Sequence, residues 1–320
     1  MSDGFRRYLT LVGCLFVLRV VLGFVAVPLG MVHTLSVVSS IVFVGVPLYA
    51  LYSAADREWG SRQGLIVLAT GAAMHVAAAL LVSYVLPQQG VWTVVAHAFG
   101  QTGILFWTLG IGVLLSIFIK DRNLMVPVAL FLIGFDAFLV FNPSAPTAKI
   151  LRLAPRSFTQ VALATVPAVK AEGQPMGQVQ DLAYVGPADL LFLAAFFCLL
   201  FRHRMRTRQT LLWLAPVLIA YLLVVLIFGD KTIGPVRLAM LPAMVPIGVT
   251  VLLVNRKEFK FAKQEVGGVI GVALIALLLA AFGIYRAAVN DRQKEQPTAP
   301  SIPVDVPVPQ AQGGSPAPAR

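Results

Sequence analysis

Two acidic side chains lie where acids are costly. Asp136 sits in the run Phe135-Asp136-Ala137-Phe138-Leu139-Val140-Phe141, and Asp189 heads the otherwise apolar stretch Leu190 to Phe201. An ionisable side chain at the centre of a bilayer costs about 2.5–3.5 kcal/mol on insertion scales, so its presence there points to function. Of the fourteen Asp and Glu residues in the chain, only these two fall inside long apolar runs. Two carboxyls in unlike settings that share one proton form an acid–base pair. One takes a proton from water, whose oxygen attacks an amide carbonyl carbon, and the other protonates the carbonyl oxygen. Asp189 follows Gly186-Pro187, and proline suits the first helical position. That puts Asp189 in a first helical turn, where the positive helix end favours a carboxylate. Asp136 falls mid-helix between Phe135 and Phe138, where desolvation favours the neutral acid. Asp189 is therefore the expected base and Asp136 the expected acid.

The spacing to nearby basic residues puts both acids at one depth. Asp136 is fourteen residues after Arg122, and Asp189 is thirteen before Arg202. At about 1.5 Å per helical residue, each lies roughly 20 Å from the same membrane face. A third feature shares that level. Pro242, in Leu241-Pro242-Ala243-Met244-Val245-Pro246, is fourteen residues before Arg256. Two prolines four apart interrupt a helix. Exposed backbone at membrane depth is tolerated only inside protein or along a water-filled cavity.

The elements that must hold these residues are helices in a bilayer. The chain has 320 residues, 58% of them hydrophobic and only 12% charged; a soluble domain carries about 25% charged residues. The composition predicts an all-α, polytopic membrane protein. Taking about 20 apolar residues per span, nine spans are expected: 8–32, 34–52, 64–86, 91–119, 124–141, 185–201, 209–229, 235–254 and 266–285. The fourth, with Gly100, Gln101, Gly103 and Gly110, is long enough to be tilted or broken. Residues 1–123 then form an N-terminal helical scaffold and 124–260 a core that includes the loop 142–184. Residues 261–285 form a last helix, and 286–320 a proline-rich disordered tail. Within the loop, Ser157 to Thr165 reads as a short surface helix.

Charge sets the orientation. Fourteen of the 25 basic residues fall in one set of loops, which puts the N-terminus in the cytoplasm and the C-terminus outside. The net charge of +11 is thus a topology signal and a means of contact with anionic lipid, not a mark of nucleic-acid binding. An uncleaved first span is expected, since Arg19 interrupts its apolar core. Arg19 is expected to pair structurally. His75 and His97 are expected to make interhelical hydrogen bonds, and Gly267, Gly268 and Gly271 to allow close helix packing. Cys14 and Cys198, both in apolar spans, read as free thiols. The run from Arg202 to Arg208 reads as a topology anchor.

The order Phe-Asp, long loop, Gly-x-x-Asp, one intervening span, then Pro-Ala-Met resembles the intramembrane aspartyl proteases of the presenilin and signal peptide peptidase group. Their motifs are Tyr-Asp, Gly-x-Gly-Asp and Pro-Ala-Leu. The likeness covers about residues 124–260. It implies that Asp136 and Asp189 are the catalytic pair, and that Pro242, Ala243 and Met244 shape the site and receive an extended substrate. Phe135 stands where the family has tyrosine, Pro187 fills the variable position after Gly186, and Ala188 replaces the second glycine. Four spans precede the first aspartate where the family has five. The resemblance implies cleavage of transmembrane segments or signal-peptide remnants; the expected location is a prokaryotic cell membrane. The bilayer and transmembrane peptides are then the partners, no cofactor or metal is implied, and homo-oligomerisation is left open. The same two acids also suit a proton- or cation-coupled transporter or channel, and the altered motifs suit a catalytically inactive scaffold.

Overall fold

The computed structural model describes residues 3–87, 89–142, 163–177, 180–229, 231–233, 236–237 and 241–295. Among them are nine α-helices: α1 Asp3–Leu22, α2 Leu29–Ala55, α3 Ser61–Leu80, α4 Val91–Phe118, α5 Met125–Phe141, α6 Pro187–Arg202, α7 Thr207–Phe228, α8 Met244–Asn255 and α9 Lys263–Glu295. Six helical stretches are long and apolar enough to cross a membrane: Leu29–Ala55, Ser61–Val85, Val91–Phe118, Arg122–Phe141, Thr207–Phe228 and Lys263–Asn290. The chain is thus a mostly helical, multi-pass integral membrane protein. The other three helices fall short for separate reasons. Helix α1 carries Asp3, Arg6, Arg7 and Arg19, whereas α6 has only 16 residues and α8 only 12.

The short helix α6 forms the centre of the bundle. Every residue from Leu193 to Leu200 is buried, as expected of a helix that is apolar on all sides. It packs on α4, where a Cβ at Gly112 would fall 2.7 Å from the backbone nitrogen of Ala195. Helix α4 is continuous over 28 residues, about 42 Å. Of the two expectations, tilt or break, the break is absent, and the glycines of α4 face neighbouring backbones. A Cβ at Gly103 would lie 2.7 Å from the nitrogen of His75 on α3. His75 itself bonds the Gly100 carbonyl across that seam at 3.3 Å.

Helix α5 is held between α8 and α9. A Cβ at Gly134 would collide with the Ala276 backbone, and one at Gly283 would lie 2.9 Å from Cα of Phe138. Gly134 and Gly283 therefore serve the close packing expected of Gly267, Gly268 and Gly271, none of which has a neighbour within 4 Å. Helix α9 also runs ten residues beyond the expected end of its span. Residues 286–295, assigned to the tail, are rich in Ala, Arg, Gln, Lys and Glu and contain no proline, so the helix continues. The rest of the tail lies outside the described residues.

The expected span 235–254 is corrected in the same way. Pro242 lies outside any helix, and α8 begins only at Met244. Pro242 lacks an N–H and disfavours helix in the residue before it. Pro246 falls in the first turn of α8, where an N–H has no intrahelical partner to lose. Upstream, Thr232–Ile233 (β5) and Val236–Arg237 (β6) pair antiparallel.

Part of the 142–184 loop is ordered as strands. Ala164–Pro167 (β2) pairs antiparallel with Asp181–Val185 (β4), and Ala26–Val27 (β1) pairs parallel with Lys170–Ala171 (β3). Ala164 and Thr165 thus belong to a strand rather than to the expected surface helix; the first residues of that helix, 157–162, lie outside the described residues. The free cysteines are an exposed Cys14 and a buried Cys198. Two cations pin the loop to the bundle. Arg19 donates to Thr165 Oγ1 at 2.8 Å and to Thr165 O at 2.7 Å, and it lies 4.8 Å over the Phe43 ring. Lys170, 1% exposed, donates to Gly23 O at 3.0 Å and to Pro175 O at 3.2 Å.

Candidate active site

Strand β4 runs directly into Gly186, and this fixes where α6 starts. Gly186 is the N-cap, with φ −61° and ψ 132°, and Pro187 takes the first helical position. Asp189 lies in the first turn, with its N–H donating to Gly186 O at 3.0 Å. Its carboxylate folds back over the cap, so that a Cβ on residue 186 would stand 3.0 Å from Asp189 Oδ2. Gly186 therefore leaves room for this carboxylate. Larger residues would press on it.

Asp136 is reached from the other side. Phe131, Phe135 and Phe138 form a ladder along α5, with ring centroids 5.6 Å and 6.5 Å apart. Phe135 is exposed on the outer face, and the next residue turns Asp136 inward. Asp136 Oδ2 accepts a hydrogen bond from the N–H of Met244 at 2.9 Å. Met244 is the first residue of α8, and the N-cap position there, Ala243, has no side-chain acceptor. Asp136 thus caps α8 from a neighbouring helix, satisfying one of its unpaired N–H groups and meeting its positive end.

The two acids face one cavity of about 510 Å³, within the usual 300–1,000 Å³ of small-ligand sites. Its walls are mostly apolar, with Asp136, Asp189, Tyr221, Tyr184, Arg19, Gln101, Thr102 and Thr165 among its lining. Tyr221 shares this cavity with both acids. The Tyr221 hydroxyl donates to Leu241 O, which ties the non-helical Leu241-Pro242 segment to α7. Gln101 holds the cavity wall formed by β2: its amide donates to Leu163 O at 2.7 Å and accepts from Thr165 N at 2.9 Å.

The expected residues divide into two groups. Asp136, Gly186, Pro187, Ala188, Asp189 and Ala243 all line the cavity. Phe135, Pro242 and Met244 do not line it with their side chains, and Met244 takes part through its backbone N–H. Sequence reasoning missed Tyr221 and Gln101. The signal was available, since each is a polar side chain in an apolar span and needs a buried partner. Among the described residues no three His, Cys, Asp or Glu side chains gather as a metal-binding group.

Compared with protein-family models, curated proteins and solved structures, the chain matches none, so the reading of the site rests on its own geometry.

Proposed function

We propose that the chain is an intramembrane aspartyl protease of the presenilin and signal peptide peptidase type, with Asp136 and Asp189 as its catalytic pair. One observation carries this reading. Two acids from separate helices line a single, mostly apolar cavity, beside the non-helical Leu241-Pro242 segment.

The chemistry follows from the surroundings. Asp189 takes a proton from a water molecule, and the water oxygen bonds to the scissile carbonyl carbon. Asp136 gives a proton to the carbonyl oxygen, forming a tetrahedral diol. Collapse of the diol breaks the C–N bond and delivers a proton to the leaving nitrogen. The Met244 bond occupies Asp136 Oδ2, which leaves Oδ1 for proton transfer. The substrate is a transmembrane helix or signal-peptide remnant, locally unwound so that its peptide bond enters the cavity. The other three helices are read as completing about nine membrane crossings, α8 together with the non-helical segment before it, around a presenilin-like catalytic core at 124–260, with the N-terminus cytoplasmic, in a prokaryotic cell membrane.

The Asp136–Met244 bond also favours a second reading, an inactive scaffold in which Asp136 serves only as a helix cap. A transition-state analogue with a hydroxyl in place of the scissile carbonyl separates the two, because a protease binds such analogues far more tightly than its substrate. A protease binds the analogue and loses that binding in both Asp136→Asn and Asp189→Asn. A scaffold has no affinity for it to lose. Ion flux that depends on both acids, without analogue binding, would favour a transporter instead.

A further inference from the structure

At the opposite end of α6 lies a second cavity, of about 990 Å³, bounded by the end of α2 and the start of α7. We infer that it binds the phosphate headgroup of an anionic phospholipid. None of its lining residues lines the Asp136–Asp189 cavity, so the inference is independent of the catalytic reading.

Charge is the first ground. Arg57, Arg202, Arg204, Arg206 and Arg208 line the cavity, against two carboxylates, Asp56 and Glu58. Two of the five guanidiniums are engaged. Arg206 pairs with Glu258 at 3.1 Å. Arg57 lies 4.2 Å over the Trp59 ring and donates to Gln63. The guanidiniums of Arg202, Arg204 and Arg208 make no ion pair or hydrogen bond to any described residue. Three like charges are thus held around one concavity with no internal partner. Planar guanidinium forks match phosphate oxygens in geometry as well as in charge.

The second ground is the cavity's other wall. Tyr52, Cys198, Phe201 and Met205 also line it, and this apolar surface adjoins the arginines at the end of a buried helix. Inorganic phosphate shares the headgroup's charge and donor needs but has nothing to offer this wall. A phospholipid brings both an anion and an acyl chain. Basic pockets between helix ends at a membrane face are suited to such headgroups.

Backbone geometry supplies a clean test. Arg204 has φ 51°, the one non-glycine residue with positive φ among those described. Its turn is closed by Arg204 N to Phe201 O at 3.0 Å and Met205 N to Leu200 O at 2.8 Å. Glycine adopts this conformation readily, so Arg204→Gly removes a guanidinium while keeping the turn.

The experiment is native mass spectrometry on the full chain in neutral detergent, with phosphatidylglycerol, phosphatidylcholine or inorganic phosphate added. The wild type retains phosphatidylglycerol in preference to phosphatidylcholine. Arg204→Gly and the double variant Arg202→Gln/Arg208→Gln each lower that retention about tenfold, through lost charge-assisted hydrogen bonds. Lys260→Gln/Lys263→Gln, on the same face but outside the cavity, retains it. Equal retention in the arginine and lysine variants overturns the inference. So does displacement of the lipid by excess inorganic phosphate, which would make this a site for the free anion.

Discussion

Asp136 has two separable tasks, and replacing it with asparagine or alanine tells them apart. The carboxylate caps α8 through Met244 N at 2.9 Å, and it is proposed to donate a proton in catalysis. Asparagine caps helices about as well as aspartate, whereas alanine at a capping position costs about 0.5–2 kcal/mol. Asp136 is half-buried, and the expected cost is about 0.5–2 kcal/mol for Asp136→Ala and close to zero for Asp136→Asn. Catalysis sorts the variants differently. An amide cannot give up a proton as an acid does, and general acid–base groups contribute about 100- to 10,000-fold. Both variants should therefore lose at least about 100-fold in cleavage of a model transmembrane peptide. The assays are thermal melting in detergent and peptide cleavage in reconstituted vesicles. Asp136→Asn should melt close to the wild type and still be inactive. Cleavage by Asp136→Asn within a few-fold of wild type refutes the acid role. Equal destabilisation by asparagine and alanine refutes the cap.

Four further predictions follow from neighbouring contacts. The wild-type pH–rate profile should be bell-shaped, and Asp189→Asn should lose its ascending limb, since the rate rises as the base ionises; a residual profile with both limbs intact removes Asp189 as the base. Tyr221→Phe leaves Leu241 O without its donor at a cost of about 1–3 kcal/mol, and cleavage should fall as the segment beside Asp136 loosens; unchanged melting and activity would contradict this. Arg19→Met removes both bonds to Thr165, so limited proteolysis should cut the 163–185 segment faster than in the wild type. Burial lowers the pKa of Lys170 below its ordinary 10.5. Between the two values the unfolded chain binds more protons, so stability should rise with pH there. Lys170→Met should lose that slope in melting curves taken across the alkaline range.

The parts of this fold legible in the sequence were those set by strong local chemistry. Gly186-Pro187 marked the start of α6, since a glycine cap and an N1 proline admit few other readings. The non-helical backbone at Pro242 followed from two prolines four apart. The convergence of Asp136 and Asp189 on one cavity was legible only through matched spacing to Arg122 and Arg202. What escaped was long-range. Nothing local to Thr165 announces that Arg19 and Gln101, more than 60 residues away, will pin it. The pairing of β2 with β4 is itself long-range, so Ala164 and Thr165 read as the end of a surface helix. Glycines misled for a related reason. Their spacing says that close approach is allowed, but only the partner helix decides where it happens. Gly134 thus packs against Ala276, while a Cβ on Gly267 would meet no described neighbour within 4 Å.

The central claim is that Asp136 and Asp189 act together on a peptide bond within the membrane. It is tested most directly by reconstituting the full chain with a model transmembrane peptide and identifying the products by mass spectrometry. The account predicts cleavage inside the peptide's apolar segment by the wild type, and loss of at least about 100-fold in both Asp136→Asn and Asp189→Asn. Cleavage that survives either substitution, or an intact peptide beside an acid-dependent ion flux, would contradict it.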